Sequence, residues 1–305
     1  MRTAFIQELT EQARLSPRVF LIVGDLGFSV VEPFAQEFPD RFLNAGVAEQ
    51  NMTGVAAGLA SEGYHVFTYS IANFPTLRCL EQIRNDVCYH NLPVTVVAVG
   101  GGVAYGNMGY SHHAVQDLGI MRSLPLMTVL APADPGEVRE CMQWLTAHPG
   151  PSYLRIGKAG EPSLHAVRGI DRGPLLIREG NERVAMACTG AILDVALAAA
   201  DQLLAEGCAI PVYSIPWLNP ISPGFFGPLH DYGFVVTLEE HVAVGGLADL
   251  LRAALPRSVE IDSFNLDDLN PYHVGGQAYL RQCAGLDVSQ VAAACRKRLR
   301  GPVNL

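Results

Sequence analysis

Charge is scarce in this chain. Of 305 residues only 17% are Asp, Glu, Lys or Arg, below the usual quarter, which points to a surface partly covered by another chain. The net charge of -9 is spread without blocks of either sign, and the one basic cluster, "CRKRLR", is short enough to be the solvated end of a last helix. Nucleic-acid binding is therefore not expected. No run approaches the roughly 18 apolar residues of a membrane span, so no membrane association is expected either. Glu8, Glu11 and Arg14 interrupt the N-terminal "MRTAFIQELTEQARL" where a signal peptide would be apolar. The seven cysteines include no Cys-x-x-Cys pair, which argues against a disulfide framework or a thiolate metal site and for a reducing, cytoplasmic setting. A Gly-x-Ser-x-Gly elbow and a P-loop are missing, and the dinucleotide fingerprint fails because Tyr105 stands where the third glycine belongs after Gly100 and Gly102. With no side-chain nucleophile in a recognisable setting, the chemistry is expected to belong to a cofactor.

What is present is an alternation of strands and helices. "RVFLIVG" (18–24), "HVFTYS" (65–70), "VTVVAVG" (94–100), "MTVLAP" (127–132) and "SYLRI" (152–156) read as buried strands. Between them, Leu77, Leu80, Ile83, Val87 and Cys88 share one face of a predicted helix. Asp134-Pro135-Gly136-Glu137 reads as a capping box opening a helix through Trp144. The glycine- and charge-rich stretch around 157–173 breaks the pattern. Beyond it the alternation resumes with "RVAMACTG", a helix over 191–206, "AIPVYSI", "GFVVTLEEH", a helix after Gly245-Gly246, "SVEIDSF" and a last helix capped by Asp287. The chain is therefore α/β, with two doubly wound domains: residues 1–160, a linker over 161–174, and a smaller domain over 175–305.

Two features draw attention as sites. Glu49 falls after the Asn44–Gly46 turn, at the first turn of a helix whose next residues, "MTGVAAGLA", carry no charge. An acid at a helix start is favoured by the helix dipole, but so apolar a helix is expected to be buried, with its first turn facing a cleft or an interface. The loop "GGGVAYGNMGYSHH" (100–113) leaves the most apolar strand, where doubly wound sheets bind ligands. His112, His113 and Asp117 at its end are a weak metal set, because adjacent side chains diverge. "LEEH" (238–241) reads as a solvated loop or an interdomain contact.

Taken together, "GVAEQNMTGVAAGLASEGYHVFTYS", "FPTLRCLEQIRNDVCYHNLPVTVVAVGGG" and "GYSHHAVQDLGIMRSLPLMTVLAPADPGE" resemble the pyrimidine-binding domain of the transketolase family. "CTGAILDVALAAADQLL", "WLNPIS" and "VVTLEEHVAVGGLADLL" resemble that family's C-terminal domain. The resemblance implies thiamine diphosphate as cofactor. It makes Glu49 the acid that bonds N1′ of the aminopyrimidine, favouring the imino tautomer that deprotonates C2. An acid in apolar surroundings can share a proton there instead of losing it to water. By the same resemblance Phe74 stacks on the pyrimidine, and Tyr69 and Arg78 line its pocket as in deoxyxylulose-phosphate synthases. His112, in Ser111-His112, contacts substrate oxygens, and Arg155 resembles a phosphate-binding arginine.

The resemblance has gaps. The family's Gly-Asp-Gly motif, which holds Mg2+ and the diphosphate, has only "VGDLG" as a counterpart, with Asp25 as its cofactor-binding candidate and no glycine after it. The chain thus resembles the second half of a transketolase whose diphosphate-binding half, and most of the metal site, is a separate subunit. Homodimerisation, and an assembly of two copies of each chain, is expected. Met108 stands where sugar transketolases carry an aspartate that reads a substrate hydroxyl, and Gly100 replaces a loop histidine. A modified sugar among ketose donors and aldehyde acceptors is the implied substrate. The β subunit of a 2-oxo acid dehydrogenase, which shares the fold, and a non-catalytic regulatory subunit are the alternatives.

Overall fold

The computed structural model describes residues 1–166 and 169–300. Its first sheet has seven strands in the order β10-β5-β6-β4-β3-β1-β2. These are β1 (Val19–Val23), β2 (Phe42–Asn44), β3 (His65–Ile71), β4 (Val94–Val99), β5 (Thr128–Leu130), β6 (Ser152–Ile156) and β10 (Trp217–Asn219). All run parallel except β10, which pairs antiparallel with β5. Every residue of β4 is buried, as expected of a strand covered on both faces. Helices α1 (Arg2–Leu15), α2 (Glu32–Glu37), α3 (Glu49–Ser61), α4 (Leu80–Gln82), α5 (Asp117–Arg122) and α6 (Pro135–Ala147) surround it. Strand alternation sorts the two sides. Leu21, Val23, Phe67 and Tyr69 join the core of Phe5 and Leu9 of α1, while Ile22 and Val66 meet Met52, Ala56 and Ala60 of α3.

The second sheet, β12-β11-β8-β9-β7, has five strands. Its members are β7 (Leu175–Arg178), β8 (Val184–Thr189), β9 (Val212–Ser214), β11 (Phe234–Glu239) and β12 (Glu260–Phe264), with only β7 antiparallel. Helices α7 (Leu193–Leu204), α8 (Leu247–Ala254), α9 (Gln277–Cys283) and α10 (Val288–Leu299) complete this half. The two halves are joined through a shared sheet edge. β10 comes from beyond the linker yet extends the first sheet, where Asn219 Nδ2 donates to Met127 O at 2.6 Å and Trp217 packs edge-on against Trp144 of α6 at 4.6 Å. No helix among the described residues is long and apolar enough to cross a membrane.

Local signals explain most boundaries. Asp134 caps α6 by accepting from Glu137 N at 2.8 Å, but Glu137 returns its carboxylate to Ala133 N at 2.6 Å, one residue short of a reciprocal box. Asp287 caps α10 through Ser289 N and Gln290 N. Two expectations are corrected. The continuous helix over 76–89 is instead a 3₁₀ turn (Leu77–Cys79), the short α4 and a π turn (Ile83–Cys88). The changing period rotates Leu77 away from Ile83, Val87 and Cys88, and it is 43% exposed. Likewise α3 is not buried all round. Met52, Thr53, Ala56, Ala57 and Ala60 are buried, whereas Gln50, Asn51, Gly54 and Gly58 are exposed: the stripe is uncharged, but its glycines and amides have no apolar side chain to bury.

Candidate active site

The carboxyl ends of β1, β3 and β4 bring the candidate residues together. α3 begins with Glu49, whose residue is only 2% exposed. Gly24, the residue after β1, lies beside it: a Cβ there would sit 3.5 Å from both Glu49 Cγ and Ser70 Oγ. Glu49 Oε2 accepts from Arg78 Nη1 at 2.8 Å, and Oε1 has no hydrogen bond among the described residues. The pair is asymmetric, since the Arg78 side chain is 49% exposed. The guanidinium also lies 5.2 Å from the centre of the half-buried Phe74 ring.

His112 completes the cluster. Its ring meets Phe74 edge-on at 5.0 Å, and Ser111 Oγ lies 3.0 Å from His112 Nδ1. The turn after β3 and the loop after β4 are tied directly, with Asn73 Nδ2 donating to Ser111 O at 2.7 Å. Glu49, Phe74, Arg78 and His112, which are distant in sequence, thus form one connected group. Met108 ends a 3₁₀ turn of the same loop and is 56% exposed.

Three candidates sit differently from their sequence reading. Tyr69 is a core residue rather than a pocket residue. Alternation along β3 turns it to the α1 side, where it stacks on Phe5 at 5.6 Å, and burial raises its phenol pKa. The neighbour that does face Glu49 is Ser70, buried and with no partner for its Oγ among the described residues; the two-residue period of the strand is the signal for it. Asp25 adopts a left-handed conformation (φ 55) and is engaged in a reciprocal pair: its N–H donates to Asn44 Oδ1 at 3.1 Å, and Asn44 Nδ2 donates to its Oδ1 at 3.0 Å. It ties the end of β1 to the end of β2.

Arg155, read as a phosphate-binding arginine, has its guanidinium already engaged within the chain. It is buried, donates from Nη2 to Glu240 O at 2.6 Å and lies 3.5 Å from Asp117 Oδ2. Asp117 also accepts from Tyr153 Oη at 2.6 Å, so it serves this joint between the halves. The same joint holds "LEEH", which is an interdomain contact and not a solvated loop. Glu239 accepts from Leu247 N and Ala248 N, and His241 Nε2 accepts from Gly119 N at 3.2 Å. Burial raises the Glu239 carboxyl pKa to about 7 against those two bonds and lowers that of His241. Among the described residues no group of three His, Cys, Asp or Glu is placed to hold a metal ion.

Comparison with known proteins bears on the fold and the family. Residues 1–160 match the family model of the transketolase pyrimidine-binding domain, and residues 173–291 match that of the transketolase C-terminal domain. A subunit of an apulose-4-phosphate transketolase from Actinobacillus succinogenes is 33% identical, the match covering 72% of each chain. A 6-deoxy-6-sulfo-D-fructose transketolase subunit from a Clostridium species is 30% identical over 97% of this chain and 94% of its own. A solved structure described as a split-gene transketolase, an inactive β4 tetramer, superimposes with a TM-score of 0.87 at 34% identity, covering 98% of both chains. The chain belongs to the transketolase family, of which it carries the pyrimidine-binding and C-terminal domains.

Proposed function

We propose that this chain is one subunit of a split, thiamine-diphosphate-dependent transketolase that moves a two-carbon ketol unit from a ketose to an aldehyde, and that it works only with a separately encoded diphosphate-binding subunit. The observation that carries the reading is Glu49: a buried carboxylate beside the Phe74 ring and Ser70, where among the described residues neither Glu49 Oε1 nor Ser70 Oγ has a hydrogen bond. Ser70 Oγ is buried with no partner among the described residues, and Glu49 Oε1 is left to bond an incoming group, so a ligand bearing a ring nitrogen fits this pair.

When bound, thiamine diphosphate supplies the carbon nucleophile that carries the ketol unit. Glu49 would hold the proton at N1′, and Arg78 reaches the same carboxylate from the rim. Phe74 offers a flat apolar face to the pyrimidine. His112, held by Ser111 and against Phe74, is placed to bond substrate oxygens. Asp25 and Tyr69 support the site from the sheet, and Arg155 holds the joint behind it. Magnesium would be held mainly by the partner subunit.

The subunit character of the relatives supports the split arrangement, and the sugars in their names support a substrate outside the common pentose phosphates. Titrating thiamine diphosphate with Mg2+ by calorimetry tests the reading. Binding and ketol transfer are expected only after this chain is mixed with its diphosphate-binding partner. Tight binding by this chain alone would overturn it. Dihydrolipoamide-linked oxidation by the complex would favour the 2-oxo acid dehydrogenase alternative.

A further inference from the structure

The loop that presents Met108 and His112 is backed by the second half of the chain at its base and at its first turn. At its base, Gly102 and Ala114 exchange backbone bonds of 2.8 and 2.9 Å, closing residues 102–114 into one unit. A Cβ on Gly102 would collide with the Glu240 side chain, and one on Gly106 would collide with Leu280 and lie 2.6 Å from Gly275 O. Gly106 has no left-handed backbone to explain it, so close approach of α9 is the physical reason for glycine there. Gly275 N donates to Gly106 O at 3.3 Å, and Val242 N donates to Val115 O at 2.9 Å. Val103 and Val115 share a small apolar core with Leu266, Leu280 and Leu286.

α9 is itself locked in place by a buried acid. Glu240 accepts from Gln277 Nε2 at 3.0 Å and from Arg281 Nε, and Arg281 also donates to Ala191 O at the start of the α7 region. The Glu240 carbonyl holds Arg155 of β6. One residue of the second sheet thus connects the helix behind the loop to the strand beside it.

We propose that the C-terminal half positions the substrate loop, with Glu240 holding α9 through Gln277 and Arg281, and α9 in turn seating Leu280 and Gly275 against Gly106 to fix the turns that carry Met108 and His112. Glu240 and Leu280 are positioning residues. They act on acceptor recognition through the loop, whereas Glu49 rests on α3 and the ends of β1 and β3. The effect on acceptor rests on the ketol-transfer reading; the effect on the loop does not.

The test is Leu280→Ala, with Leu280→Met to restore the volume and Glu240→Gln to release Arg281 without changing shape. In the full chain, hydrogen–deuterium exchange over 100–113 is expected to quicken at least about tenfold in Leu280→Ala and Glu240→Gln, with 65–71 and 94–99 unchanged, and to return toward wild type in Leu280→Met. In the complex with the partner subunit, kcat/KM for the aldehyde acceptor is expected to fall at least about tenfold, because small misplacements of a substrate-positioning group cost that much or more. C2–H/D exchange of bound thiamine diphosphate should stay within about twofold. Unchanged loop exchange, exchange quickened equally across the strands, or C2 exchange falling in step with kcat/KM would each overturn the proposal. If the wild-type complex transfers no ketol unit, that result counts against the proposed function, and the loop-exchange result alone still decides the positioning.

Discussion

Removing either partner of the Glu49–Arg78 pair should not cost the same. The bond is 2.8 Å long, but the carboxylate side chain is 2% exposed and the guanidinium side chain 49% exposed. Arg78→Ala strands a buried carboxylate without its cation. Breaking a fully buried pair costs about 3–5 kcal/mol, and screening at this half-open rim brings the expectation to about 1–3 kcal/mol. Glu49→Gln leaves an arginine that water can solvate in place, and a glutamine that fits the same space, so the expected cost is below about 1 kcal/mol. In the Glu49→Gln background, Arg78→Ala should be nearly silent, and the double-mutant cycle should return most of the difference as coupling. Urea unfolding of the four proteins, at one fixed protomer concentration because assembly shifts apparent stability, measures all of this. Equal destabilisation by the two single substitutions, or additivity in the double, would refute the view of Glu49 as a buried acid compensated from the rim.

Three further outcomes follow from particular residues. Tyr69→Phe removes a buried hydroxyl that has no hydrogen bond within 3.5 Å among the described residues, so stability should be unchanged or higher by up to about 1 kcal/mol and ketol transfer unaffected; a large loss of activity would return Tyr69 to the pocket. Burial opposes charge on His165, but Glu137 at 2.9 Å and Asp134 outweigh it, so its pKa is raised above the usual 6.5. A raised cationic group stabilises fully below its unfolded pKa and loses that contribution as pH rises through the folded one. Thermal melts should therefore show wild type ahead of His165→Gln near pH 6, with the gap closing toward pH 8.5, and a gap independent of pH would contradict the pairing. Met108→Asp should shift kcat/KM toward acceptors bearing the extra hydroxyl by roughly ten- to a hundredfold, the reach of one such contact; no shift would mean that the exposed Met108 does not meet substrate.

The strands were legible because a parallel sheet covered on both faces writes near-continuous apolar runs, as in β4 and β8, both buried throughout. Caps were legible too, since Asp134 and Asp287 act through side chains one turn away. Three kinds of feature were not. β10 is three residues long and takes its place from a sheet edge far away in sequence. The 3₁₀-to-π change across 77–88 keeps a helix-like composition while breaking the 3.6-residue period. The polar joint of Asp117, Arg155, Glu240 and Arg281 reads as surface in sequence, because its charges are compensated only across the two halves. At the site, Glu49 stood out as an acid in apolar surroundings. Its partner Arg78 carries no local signal of its own and is legible only by resemblance, whereas the strand period places Ser70 opposite Tyr69.

The account turns on a proton held by Glu49, and C2–H/D exchange of thiamine diphosphate bound to the reconstituted complex reads that most directly, before any sugar is chosen. With Glu49→Gln, which keeps shape but not acidity, the exchange rate and kcat should fall together by at least roughly a hundredfold, the scale of a lost acid–base group, while the cofactor still binds. Exchange at the wild-type rate in the Glu49→Gln complex would contradict the account and leave Glu49 as no more than the acid that opens α3.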